Sequence, residues 1–167
     1  MKTTILAVAL ILGAATLASR DLWAQSSRSA IQGTWQVAEL RITGAAPRTI
    51  TIPDPRPNLL VFTAKYYTRV EVQAEQPRSL LPNPATATAD ELRAAWGPLV
   101  AEAGTYESTA DTITMRPIVS KNPAVMGPGV FIVYQYKLDG DTILITQQRN
   151  QSGPFPNPFT MKAVRVE

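Results

Sequence analysis

The chain has 167 residues, with 16 Lys and Arg against 13 Asp and Glu and neither histidine nor cysteine. A net charge of +3, carried by basic residues scattered singly along the chain, excludes the clustered basic face that nucleic-acid binding needs. The missing imidazole and thiol side chains exclude a Ser-His-Asp or Cys-His nucleophile, a histidine or thiolate metal site, a haem ligated by either, and any disulfide.

At the N-terminus, Lys2 precedes an unbroken run of apolar and small residues from Ile5 to Ala18, followed by Ser19, Arg20 and Asp21. A run of about 14 residues suits the core of a secretory leader and falls short of the roughly 20 that span a bilayer. Residues 1–24 therefore read as a signal peptide cut between Ala24 and Gln25, with cuts after Ala18 or Ser19 as alternatives. An uncleaved anchor or a first core helix is the competing reading, but nothing downstream shares its periodicity. Residues 25–167 then form one domain in the secreted or periplasmic space without a stable membrane anchor. Without cysteine there is no lipidated N-terminal thiol.

Downstream, period-two runs alternate with turn residues and predict eight strands, over residues 34–42, 58–63, 66–74, 100–108, 112–119, 130–138, 142–149 and 159–166. Between the third and fourth, residues 89–96 predict one short helix. Thr88 and Glu91 have capping-box spacing, Leu92, Ala95, Trp96 and Leu99 share a face, and Gly97 and Pro98 stop it. The connections alternate strictly. Those at 64–65, 109–111 and 139–141 are tight, the last carrying an Asp-Gly hairpin signal, whereas 43–57, 75–99, 120–129 and 150–158 are long and proline-rich. In an up-and-down meander this puts every long loop at one rim and every tight turn at the other. The expected fold is all-β: an eight-stranded antiparallel up-and-down barrel with a loop-framed mouth, a closed base and one short helix in a loop.

Alternation also predicts which side chains point inward. The apolar set Tyr66, Thr68, Val70 and Val72 is placed inside, against Tyr67, Arg69, Glu71 and Gln73 outside; Ile113, Met115 and Val119 point in, as do Val130, Ile132, Tyr134, Tyr136 and Leu138. For the strand around Gly104 the phase is open, but if Tyr106 points inward then so does Glu102.

The segment Ile31, Gln32, Gly33, Thr34, Trp35 resembles the Gly-x-Trp start of lipocalins and of the bacterial lipocalin-like domain. The hairpin over 59–70, the Gly104, Thr105, Tyr106, Glu107 strand, the run at 111–114 and the corner at 136–141 are similar to the latter family. The resemblance spans nearly all of 31–167 and implies a lipocalin-type barrel. It implies that Trp35 plugs the closed end and that Arg165 packs across its ring. Met115 and Tyr134 stand where the family often shows a histidine and an arginine, which implies a softer lining.

Carboxylate, phenol, lysine and arginine chemistry remains. The sequence points to a pocket for a small hydrophobic ligand lined by Tyr66, Thr68, Tyr106, Met115, Tyr134 and Tyr136, an apolar cavity with a few hydroxyl donors. A barrel that fills itself with these rings is the alternative, and it corresponds to a structural or protein-interaction module. A third reading is a barrel-type isomerase or cyclase in which Glu102 and Tyr106 transfer protons, set against Glu102 simply lying in water at the rim. No residue is assigned as catalytic, as a metal ligand or to a cofactor. An Asp-Gly turn explains Asp139 and Asp141 without calcium, and Gly127, Pro128, Gly129 is too short for a phosphate loop.

Overall fold

Most of the alternating runs become strands. The computed structural model describes residues 30–52, 57–78 and 80–167, and the leader expected over 1–24 lies outside them. Ten strands form one antiparallel sheet: β1 (Gly33–Ile42), β2 (Arg48–Thr51), β3 (Asn58–Phe62), β4 (Tyr66–Val72), β5 (Leu99–Ser108), β6 (Thr112–Ser120), β7 (Ile132–Asp139), β8 (Thr142–Asn150), β9 (Gly153–Pro154) and β10 (Phe159–Arg165). Eight of them close into an up-and-down barrel, because β10 pairs with β8 on one side and with β1 on the other. The short β2 and β9 add to the edges of β1 and β8.

The loop asymmetry is as the spacing predicts. Two residues join β3 to β4 beyond Thr63, whose backbone amide donates to the Tyr66 carbonyl at 2.8 Å. Gly140, at φ 54°, supplies the left-handed residue that the β7–β8 hairpin requires. At the other rim, the connection from β4 to β5 carries helix α1 (Ala89–Trp96), whose Thr88 and Glu91 make the expected capping box. Its last carbonyls are held by Lys121, whose Nζ donates to the backbone of Trp96, Gly97 and Leu99. Ala95 is its buried contact, while Trp96 is half exposed.

Strands β1 and β3 pair only from Gly33 to Trp35. Above that, Asn58 continues the seam with its side chain, Oδ1 accepting from the Val37 amide at 2.5 Å and Nδ2 donating to the Val37 carbonyl at 2.9 Å. One amide group thus imitates a step of the ladder. Where the start of β1 meets the residues after β10, the Glu167 carbonyl accepts from the Thr34 amide at 3.0 Å and the Val166 amide donates back to the Thr34 carbonyl at 2.8 Å.

The expected inward faces of β6 and β7 hold for Ile113, Met115, Ile132, Tyr134 and Tyr136, all buried. On β4 the phase is reversed. Tyr67, Arg69 and Glu71 point into the barrel, and Tyr66 (55% exposed), Thr68 and Val70 face out. The register requires it: Tyr67 lies opposite Phe62, Arg69 opposite Leu60 and Glu71 opposite Asn58, and those three β3 residues are the buried ones. Hydrophobic contrast misleads here because the lumen wall is charged and the outer face, with Leu59, Val70, Ile118 and Val119, is apolar. Val119 was expected inside, but a bulge at Ile118 shifts the register so that Gly104 faces Pro117 while Ala103 faces Val119.

Candidate functional site

The closed end of the barrel is filled. Trp35 is fully buried, its indole Nε1 donates to the Ile31 carbonyl at 2.9 Å, and the Arg165 guanidinium lies 4.1 Å above its ring. Arg165 also donates to the carbonyls of Gln32 at 2.6 Å and Ala30 at 2.7 Å. Tyr106 packs edge-on against Phe62, ring centres 5.1 Å apart, and its hydroxyl donates to the Thr63 carbonyl at 2.6 Å. Tyr136 does the same for the next turn, donating to the Thr109 carbonyl at 3.0 Å. These two phenols tie hairpin turns to the floor, so their hydroxyls are engaged by the fold itself.

Above the floor the lumen turns polar. Arg69 extends from β4 with its Nη2 on Glu71 Oε1, its Nη1 4.0 Å from Glu102 Oε1 on β5, and its guanidinium carbon 5.2 Å from the centre of the Phe159 ring on β10. All three charged side chains are nearly sealed from solvent, at 6, 2 and 8% exposure for Arg69, Glu71 and Glu102. Gln73 also donates to Glu71 Oε1. Tyr134 enters from β7, takes a hydrogen bond from Arg69, and stands 6.2 Å from Phe159 between ring centres. Tyr67 completes the group.

The cluster is under-satisfied. Tyr67 Oη, Arg69 Nε, Glu71 Oε2 and Glu102 Oε1 are buried without a hydrogen-bond partner among the described residues. Each such group ordinarily costs about 1–3 kcal/mol, more when charged, so four together in one lumen are a local cost to the fold. Burial raises the Glu102 carboxyl above the usual carboxylate range; Arg69 opposes this and Glu71 adds to it. Burial likewise raises the Tyr67 and Tyr134 phenols, which stay protonated. Burial works against the charge of Arg69, but Glu71, Tyr134 and Glu102 outweigh it and hold the guanidinium protonated.

Of the six residues expected to line a pocket, Tyr106, Met115, Tyr134 and Tyr136 are inside, and Tyr66 and Thr68 are outside because β4 runs in the opposite phase. Only Tyr134 belongs to the polar cluster. Glu102 and Tyr106 both point in, as their shared parity requires, but they stand four residues apart on β5, about 13 Å along a strand. The phenols coupled to Glu102 are Tyr67 and Tyr134 instead. The chain matches no protein-family model, and no curated protein matches it. The residues that sequence reasoning missed are Tyr67, Arg69 and Glu71. One signal points to them: once Glu102 is placed inside, β4 must offer an opposite charge at the register partner, and Arg69 is its only basic residue.

What this arrangement offers chemically is a set of hydrogen-bond acceptors on Glu71, Glu102 and Tyr67 beside the guanidinium of Arg69, all held by the barrel strands. Leu40, Ile132 and Met161 belong to the apolar core of the barrel, and Phe159 packs against it. Among the described residues, no group of three or more His, Cys, Asp or Glu comes together in a metal-binding arrangement.

Proposed function

We propose that this is an exported, lipocalin-like protein that binds a small hydrophobic molecule with one polar head in the upper half of its barrel, entering between the long loops. The observation that carries the reading is the set of four buried, unpartnered polar atoms on Tyr67, Arg69, Glu71 and Glu102. A solid structural barrel gains little stability from a charged, under-satisfied wall, since apolar side chains of similar volume are often as stable or more so. A proton-transfer enzyme built on Glu102 and Tyr106 has less support, because the Tyr106 hydroxyl is committed to Thr63.

The reading is tested on the purified domain by titrating an apolar fluorescent probe and displacing it with a broad panel of small amphiphiles. Saturable one-to-one binding is expected, weakened by Tyr134→Phe or Glu102→Gln and unchanged by Val70→Thr on the outer face. If no probe or panel member saturates, the barrel is not a binder.

A further inference from the structure

We propose that the head group taken by this cluster is a monocation, the primary ammonium of a small amphiphilic amine; the inference rests on the lumen being a binding site. Two carboxylates, Glu71 and Glu102, share the buried wall with one guanidinium, and Arg69 already spends its Nη2 on Glu71. Among the described residues, the neighbouring strands bring no second cation to Glu102. Facing Glu102 are Tyr67, Arg69 and Glu71 from β4 and Tyr134 from β7, while β6 sets Ser120 opposite it in register. Lys121, the next residue, is turned away onto the carbonyls at the end of α1.

This imbalance ranks the ligand classes. A carboxylate or phosphate reaching Arg69 would add a further anion beside Glu71 and Glu102, in a site too dry to screen the repulsion. A neutral hydroxyl brings no counter-charge to Glu102 once that carboxyl is ionised. An ammonium balances two negative groups with two positive ones. The acceptors open to its N–H donors are Glu71 Oε2, Glu102 Oε1 and the Tyr67 hydroxyl, which are buried without a hydrogen-bond partner among the described residues. Its alkyl part is left to Leu40, Ile132, Met161 and Phe159. Because burial favours the protonated form of Glu102 and only its ionised form pairs with an ammonium, acid competes with the amine for the site.

Octylammonium, octanol and octanoate share one tail and differ in head-group charge, so displacement of a lumen-bound fluorescent probe by each isolates the head-group preference. At about pH 8, octylammonium is expected to compete at least about tenfold more tightly than the other two, and to weaken as pH falls although the amine itself stays charged. Glu102→Gln is expected to remove most of that advantage, while Glu107→Gln, on the outer face of the same strand, leaves it intact. Equal or tighter binding of octanol or octanoate, or an octylammonium affinity untouched by both pH and Glu102→Gln, overturns the ammonium assignment and leaves the lumen a binding site for another head group. Failure of the probe itself to bind overturns both. The charge series and the pH series use the unaltered protein, so the outcome does not depend on the variant folding.

Discussion

Arg69 is the residue on which the interior of this protein depends. Its guanidinium is the single positive charge between two buried carboxylates, and it also covers the Phe159 ring. Arg69→Met should destabilise the fold by about 3–5 kcal/mol at neutral pH, because it strands a buried carboxylate. The double variant with Glu71→Gln should recover a large part of that loss, and urea titration of the four proteins of the cycle measures it. Glu102 acts in the opposite sense. Its carboxyl binds protons more tightly in the folded chain than in the unfolded one, so its contribution to stability is complete at low pH and is lost as pH rises through the raised folded value. Thermal unfolding between acid and neutral pH should show that downward slope, and Glu102→Gln should flatten it. Of this set, Tyr134 could be read from the sequence, and Glu102 only on the condition that Tyr106 points inward. Arg69, Glu71 and Tyr67 could not, because apolar contrast along β4 reports the outer face, and a charge is expected inside only once its partner is known to be there.

Among the elements, the strands, the helix and its cap were legible, since period-two runs, the Thr88 and Glu91 spacing and the Asp139-Gly140 turn are local signals. Register was less so. Bulges near Ala38, Ile118 and Gln148 each insert one residue into a strand and reverse its parity beyond that point, and nothing in the alternation announces them. Gly104 sits beside the second bulge for a steric reason: a Cβ there would lie 2.1 Å from the Arg116 carbonyl oxygen and 2.9 Å from the Pro117 Cα. Gly104→Ala should therefore cost about 1–3 kcal/mol through displaced backbone rather than lost contacts. Because Gly104 lies opposite Tyr67 in the ladder, the variant should also disturb the lumen. Equilibrium unfolding measures the first effect and probe binding the second.

At the scale of the whole molecule, the alternation of tight and long connections is the feature that sequence and structure share most fully. It was legible because connection length is counted directly, whereas the polar character of the lumen depends on which strands meet. The two ends of the barrel separate the work: aromatic rings and hairpin carbonyls build the floor, and the charged cluster lies above it. Arg165→Ala removes the guanidinium over Trp35 and two donations to the Ala30 and Gln32 carbonyls, so it should lower stability by about 1–3 kcal/mol. It should leave probe affinity in the upper half unchanged, and thermal denaturation beside a probe titration separates the two.

The meeting of Thr34 with Val166 and Glu167 has a mechanical consequence. The start of β1 and the end of β10 lie at the same end of neighbouring antiparallel strands, Trp35 opposite Arg165, so a pull applied between Gly33 and Glu167 acts across the ladder rather than along it. The bonds between the two strands then load one after another, from those of Thr34 with Val166 and Glu167 through the Trp35–Arg165 pair and upward, as a zipper opens. Under tension the barrel should part along this seam at low force, and the floor, closed by a ring and a guanidinium, is where the opening starts.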